Sequence, residues 1–248
     1  MAATPAWPPK SAPRLFVDTP LSQGMTYEID GQQAHYLSRV MRVKPGDAVI
    51  LCDDETGEWA ARVTGAGKRS VTVEVAEHLR PRESVPPLTL CAALLKKPRF
   101  DLVLEKATEL GVARIRPVIT RRCVADALNM DRARQIVTEA AEQCARTALP
   151  AIDEPVTLDA MLRDWDGGAL FFADESRSAP PAAQAFAKVP PPAAMLIGPE
   201  GGFDDAEREA IRAHPAAVPV ALGPRILRGE TAAIAAMALW MGIAGDWR

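Results

Sequence analysis

Two rhythms of apolar and polar positions divide this chain. From Leu88 onward, continuous apolar runs alternate with helical patterns. The run at 88–95, LTLCAALL, has no polar alternation, as expected of a parallel strand buried on both faces. Phe100, Val103, Leu104, Ala107 and Leu110 then share one helical face that ends at Gly111. RIRPVIT at 114–120 predicts the next strand. Ala133, Ile136, Val137, Ala140, Ala141 and Cys144 predict a helix over 131–147 with a core stripe. ALFFAD at 169–174 predicts a third strand. Two further units follow over 195–240, each a short apolar run, a glycine-proline loop and a helix. The proline- and alanine-rich stretch 179–194 interrupts the pattern as a connection. This alternation predicts an α/β domain over 83–248 with a largely parallel sheet. Residues 14–82 instead carry short β-type runs, RLFV, AVILC, WAARVTG and SVTVEVAEHL, separated by turns such as Pro45-Gly46-Asp47. They predict a small β-barrel, with HYLSRVMRV as a short helix between its first strands. Residues 1–13 are proline-rich without an apolar core and read as a flexible tail, not a signal peptide.

Composition narrows the function classes. The net charge of −3 over 248 residues argues against a generic nucleic-acid coat, though not against a local basic groove. The four cysteines, Cys52, Cys91, Cys123 and Cys144, form no CxxC pair or metal spacing, and read as reduced core thiols of a cytoplasmic protein. His35, His78 and His214 are equally scattered, so no metal site is expected. The longest uncharged apolar run, 232–245, is shorter than the ~18 residues of a membrane span and reads as a buried helix.

Candidate chemistry gathers where strands end, the edge at which open α/β sheets bind ligands. In the first loop of 195–240, Gly198, Gly201 and Gly202 permit close backbone approach, while Glu200, Asp204, Asp205 and Glu207 crowd the following helix start. Such a loop disfavours phosphate and suits hydroxyl groups, an adenine edge or a cation. Asp204 and Glu207 also fit a capping box, and Asp174 and Glu175 extend the acidic character. The second loop carries Arg225 and Arg228, then Glu230, where an anionic substrate could meet the pair. No GxxxxGK[ST] loop is present, which disfavours a nucleotide-phosphate enzyme. Lys96, Lys97 and Arg99 follow one strand, and Arg121 and Arg122 another; their position makes them candidate phosphate contacts. Arg39, Arg42 and Lys44, with Lys68, Arg69, Arg80 and Arg82, are either phosphate contacts or a solvated face.

The motifs resemble a known family. IGPEGGF at 197–203 and LGPRILRGET at 222–231 are similar to the two signature loops of the ribosomal RNA small subunit methyltransferase E family, within the SPOUT superfamily. HYLSRVMRVKPGD at 35–47, EKATELGV at 105–112, RRC at 121–123 and EAAEQCART at 139–147 extend the likeness over nearly the whole chain. The resemblance implies an S-adenosylmethionine-dependent enzyme that methylates N3 of a uridine in 16S ribosomal RNA. It implies a PUA-like RNA-binding barrel over 14–82 and a SPOUT α/β domain whose trefoil knot occupies about 195–240. It also implies a homodimer acting on small-subunit RNA, within the ribosomal subunit; helix 232–245 is the candidate dimer contact, or simply packs on its own sheet.

The implied cofactor residues are Ile197, Gly198, Pro199, Glu200, Gly201 and Gly202, with Leu222, Gly223, Ile226 and Leu227. Gln143 and Arg146 become candidate RNA contacts by the same likeness; without it, their stripe reads as a solvated face. Uridine N3 must lose its proton before it can attack. Arg228 or Arg225 would stabilise the resulting anion, and Glu230 or Glu200 is the candidate base. The segment Cys123-Val124-Ala125-Asp126 departs from the family pattern. A transfer-RNA methyltransferase and a non-catalytic assembly protein are the alternative readings.

Overall fold

The computed structural model describes residues 7–67, 69–174 and 179–247. Lys68 and Glu175, both named above as candidates, lie outside the described residues. The chain forms two compact units. The first comprises residues up to Ser84 together with Ala141–Ala148, and the second Val85–Ala140 with Leu149 onward.

In the first unit, β1 (Arg14–Phe16) and β2 (Thr26–Ile29) precede α1 (Gly31–His35), which runs into one π-helical turn, Tyr36–Met41. β3 (Ala48–Asp53), β4 (Gly57–Ala66) and β5 (Val71–Arg80) follow. The sheet order is β1-β3-β4-β5-β2, parallel between β1 and β3 and antiparallel elsewhere. Three register shifts between β4 and β5 coil the sheet into an open half-barrel with β1 and β2 as its edges. The alternating Val71, Val73 and Val75 meet Leu15, Leu37 and Leu51 in its core.

Asp53 locks the β3–β4 turn. Its buried carboxylate accepts hydrogen bonds from the amides of Leu21 at 3.0 Å and Glu55 at 2.8 Å, and from the amide and hydroxyl of Thr56. Burial pushes this carboxyl up, but the bonds from Thr56, Leu21 and Glu55 outweigh it and hold it below its ordinary value. The stabilisation is therefore present at neutral pH and lost as pH falls through the lowered folded value. Asp53→Ala should lower stability by about 2–4 kcal/mol at pH 7, since it orphans a buried amide. In urea melts, the gap to the parent chain should shrink below pH of about 4. A gap independent of pH would refute this role for the carboxylate.

The second unit begins with β6 (Leu88–Ala93), α2 (Lys97–Glu109), β7 (Arg114–Ile119) and α3 (Met130–Cys144). Next come the short β8 (Ala151–Ile152) and β9 (Val156–Thr157), then α4 (Leu158–Arg163), β10 (Ala169–Ala173) and α5 (Ala182–Phe186). β11 (Ala193–Ile197), α6 (Asp205–Ala213), β12 (Ala217–Val220) and α7 (Gly229–Ile243) complete it. Every strand pair is parallel, in the order β12-β10-β11-β6-β7-β8, with β9 also on β7. Layers cover both faces: Leu90, Phe100, Phe171, Met195 and Trp240 pack on one, and Cys91, Phe172, Leu196 and Phe203 on the other. The chain moves outward from β6 through β7 to β8, then returns so that β11 inserts between β10 and β6. That reversal creates a crevice at the carboxyl ends of β6 and β11.

Two helix expectations change. α3 stops at Cys144, because Ala145 turns to the left-handed region at φ 61°. Cys144, expected on the core stripe, is exposed at this end, while Cys123 is half-buried. Cys52 and Cys91 are core thiols, pushed up to about 11 and about 12 by burial. Among the described residues, no helix is long and apolar enough to cross a membrane.

Candidate functional site: a cofactor cavity at the strand ends

A cavity opens at the carboxyl ends of β10, β11 and β12. Ile197, Gly198 and Pro199 form one wall. Leu222, Gly223, Arg225, Ile226 and Leu227 form the opposite one. Ala173 and Asp174 at the end of β10, Phe203, and Gly229 with Ala232 of α7 close the remainder. The Asp174 carboxylate pairs with Arg212 at 2.6 Å. Ile226 is 79% exposed, an unusual degree for an isoleucine beside a cavity.

Close backbone approach explains the glycines here. A Cβ on Gly229 would stand 3.1 Å from Leu95 Cδ2 and 3.2 Å from the Gly198 carbonyl oxygen, so the two loops nearly touch. Gly223 takes φ +100°, with open space where a side chain would be.

The acidic loop is held by arginines. Arg99 Nη1 donates to Glu200 at 3.0 Å, and its Nε lies 3.7 Å from Glu230. Arg121 pairs with Asp204 at 2.9 Å, and its amide donates to Glu207 at 2.7 Å. Arg122 Nη1 donates to the carbonyls of Gly201 at 2.9 Å and Phe203 at 3.4 Å. Asp204 and Glu207 complete the expected capping box of α6. The Glu207 amide and neighbouring Arg121 hold the Asp204 carboxyl below its ordinary value. Three arginines that the sequence offers as candidate phosphate contacts thus also anchor the loop, because loop carboxylates and carbonyls lie within hydrogen-bonding reach of them. Sequence spacing gave no sign of these pairings, which join residues about 80 to 100 positions apart.

The remaining candidates divide clearly. Glu200, Gly201 and Gly202 are off the cavity wall, the first two exposed and Gly202 buried. Arg228 is the N-cap of α7, exposed, and off the wall, whereas Arg225 is on it. Neither guanidinium forms an ion pair or hydrogen bond with a described residue, although the Arg228 carbonyl accepts the Ala232 amide at 2.8 Å. Glu230 is 9% exposed, and its Oε2 has no hydrogen-bond partner among the described residues, but it does not line the cavity. Lys96, Lys97, Arg39, Arg42 and Gln143 are exposed. Ala173, Asp174, Phe203, Val220, Ala221, Gly229 and Ala232 add to the wall beyond the site residues named from sequence, although Asp174 stood out there as a strand-end acid.

Arg146 lies in a buried ion pair. It is 6% exposed within the first unit, where its Nε donates to Glu83 Oε1 at 3.2 Å. The same oxygen accepts from the amides of Thr147 at 3.1 Å and Ala148 at 3.2 Å. A buried, ion-paired guanidinium is unavailable to RNA without breaking that cluster. Glu83→Ala and Arg146→Ala should each destabilise the chain by about 2–3 kcal/mol, less than a fully buried pair because Glu83 is partly exposed. Urea unfolding measures this, and lower RNA affinity of Arg146→Ala at unchanged stability would contradict it.

The cavity suits a cofactor with apolar and cationic parts. Its walls are largely apolar, it has a paired carboxylate at one end, and its glycines leave room a Cβ would fill. Comparison with known proteins identifies the group. Residues 81–241 match the RNA methyltransferase domain family, and residues 29–76 the RNA methyltransferase PUA domain. The Ribosomal RNA small subunit methyltransferase E of Rickettsia conorii is 30% identical over 91% of this chain and 93% of its own. That of Synechocystis is 33% identical over 86% and 72%. The structure resembles that enzyme from Neisseria gonorrhoeae bound to S-adenosyl methionine, with a TM-score of 0.87, 29% identity and coverage of 96% and 100%. It also resembles a Legionella pneumophila methyltransferase with bound SAM, at 0.86, 30% identity and coverage of 95% and 99%. With the cavity, the paired loops and both domains in agreement, the chain belongs to the ribosomal RNA small subunit methyltransferase E family and is an S-adenosylmethionine-dependent ribosomal RNA methyltransferase.

Proposed function

We propose that this chain methylates N3 of a specific uridine in 16S ribosomal RNA, acting as a cytoplasmic homodimer on the small ribosomal subunit. The observation that carries the reading is the pairing of two unlike loops at one crevice. The acidic loop is paired to Arg99, Arg121 and Arg122, while the guanidinium groups of Arg225 and Arg228 have no partner among the described residues. Ile197, Gly198, Pro199, Leu222, Gly223, Ile226 and Leu227 hold the cofactor, with Glu200, Gly201 and Gly202 shaping their loop. When bound, S-adenosylmethionine supplies an electrophilic methyl group on a sulfonium.

The protein's task is then to hold a uracil anion in line with that methyl. Arg225, on the wall, faces the cofactor, and Arg228, just outside it, faces the substrate carbonyls. Glu200 is ion-paired to Arg99, and Glu230 lines no part of the cavity, so each must change its surroundings before acting as a base. Exposed Lys96 and Lys97, and Arg39, Arg42 and Gln143 of the barrel unit, contact RNA. Residues 14–82 form the RNA-binding domain and 83–248 the methyltransferase domain. The insertion of β11 between β10 and β6 is compatible with the trefoil threading implied for 195–240, and the exposed Leu239 of α7 favours that helix as a dimer contact.

Methyl transfer from labelled S-adenosylmethionine to small subunits lacking the modification, with mapping of the product base, tests the proposal. Label at a uridine N3 is expected. Transfer only to transfer RNA would replace the substrate, and cofactor binding without any transfer would leave an RNA-binding assembly protein.

A further inference from the structure

Arg99 stands in the first turn of α2 and reaches carboxylates from two separate loops. Its Nη1 lies 3.0 Å from Glu200 Oε1, and its Nε lies 3.7 Å from Glu230 Oε1. Glu200 belongs to the first signature loop and Glu230 to the first turn of α7. Each carboxylate directly follows a residue of the cofactor cavity wall: Glu200 comes after Pro199, and Glu230 after Gly229. Arg99 itself is off that wall. The helix that carries it is fixed, because Phe100, Val103, Leu104 and Ala107 bury one face of α2 in the core. Among the described residues, Arg99 is the one cation paired with Glu230 and the one paired with Glu200. Glu230 is 9% exposed with one carboxylate oxygen unbonded, so its charge depends on that partner.

We propose that Arg99 is a positioning residue for the cofactor cavity: it ties the first signature loop to the start of α7 and sets their spacing without touching the cofactor. The inference rests on the S-adenosylmethionine reading of that cavity. Packing fixes only one limit of the spacing. Leu95 and the Gly198 carbonyl oxygen crowd Gly229, which stops the loops from closing further. Such a contact resists compression and does nothing against opening. The two ion pairs supply the opposing pull, each on the residue next to the wall. An arginine suits this task, because its fork presents Nη1 and Nε to two acceptors at once, whereas a lysine ammonium is a single point charge. Pairs as exposed as Arg99 and Glu200 contribute little to global stability, so losing them loosens the loops and leaves the fold intact.

The test is calorimetric titration of the full chain, without RNA, with S-adenosylmethionine and with its demethylated product, S-adenosylhomocysteine. Arg99→Ala should raise both dissociation constants about tenfold at an unchanged melting temperature. Equal losses mark positioning: a guanidinium acting through its charge would change the two ligands unequally, since only S-adenosylmethionine carries the sulfonium cation. Glu200→Gln cuts one tie and should cost about threefold, and combining it with Arg99→Ala should give about tenfold, not about thirtyfold, because that tie is already broken. Arg99→Lys keeps the charge and should recover most of the affinity, leaving a loss of about threefold. Unchanged affinity in Arg99→Ala, additive losses in the double variant, or unequal losses for the two ligands would each overturn the positioning role while leaving the cofactor reading intact. Weaker binding of small subunits by Arg99→Ala at unchanged cofactor affinity would assign the guanidinium to phosphate instead. Failure of the parent chain to bind S-adenosylmethionine would overturn both.

Discussion

Gly229→Val should abolish cofactor binding, raising the dissociation constant at least 100-fold, which corresponds to about 2.7 kcal/mol. Gly229 opens α7 at the point where the two signature loops meet. A Cβ there already stands 3.2 Å from the backbone oxygen of Gly198 and 3.1 Å from Leu95. Leu95 can rotate, but the Gly198 carbonyl can retreat only if the loop leaving β11 moves with it. Valine adds two further carbons, and overpacking of this kind costs about 1–3 kcal/mol. The strain falls on the loop, because β11 beneath it is buried and paired on both sides. Calorimetric titration with S-adenosylmethionine measures the effect, and Gly229→Ala should be intermediate. Retained affinity in the valine variant, with the fold intact by thermal melting, would remove the contact between these loops from the account of the cofactor site.

Arg228→Ala should lower kcat by 10²- to 10³-fold, about 2.7–4 kcal/mol of transition-state stabilisation, the scale of losing one donor to a developing anion. Its cofactor dissociation constant should stay within about threefold, because Arg228 is off the cavity wall. Arg225→Ala should do the reverse in emphasis, weakening cofactor binding, since Arg225 is on the wall. The Arg228 guanidinium has no partner among the described residues and makes no side-chain cap, so its removal orphans no buried group and should leave stability unchanged. Single-turnover rates and equilibrium titrations on both variants separate the roles. A parallel fall in rate and cofactor affinity in Arg228→Ala would place that guanidinium on the cofactor instead.

The chain alone determined the elements that bury themselves by local pattern. LTLCAALL, ALFFAD and the two runs over 195–222 became the parallel strands β6, β10, β11 and β12 because short apolar runs bounded by turn signals suit a sheet covered on both faces, whereas the longer run at 232–245 became α7. The capping box at Asp204 and Glu207 was equally legible, since its partners are three residues apart. So were the loops that line the strand-end cavity, through their glycines and their likeness to family signatures. The shorter strands β2, β8 and β9 were not legible: two to four residues carry too little periodicity, and long-range pairing decides them.

Only the tertiary structure decided which charges are available. In sequence, Arg99, Arg121 and Arg122 differ little from Lys96, Lys97, Arg225 and Arg228. Folding brings the first three against Glu200, Asp204 and the carbonyls of Gly201 and Phe203, and leaves the side chains of the others without an ion pair among the described residues. It likewise buried Arg146 against Glu83, although its motif suggested a substrate contact. Burial along one strand or helix follows from neighbours a few positions away, so sequence can report it. The pairing of a charge depends on atoms from distant segments approaching within about 3–4 Å, and that distance is set only when the whole sheet has assembled.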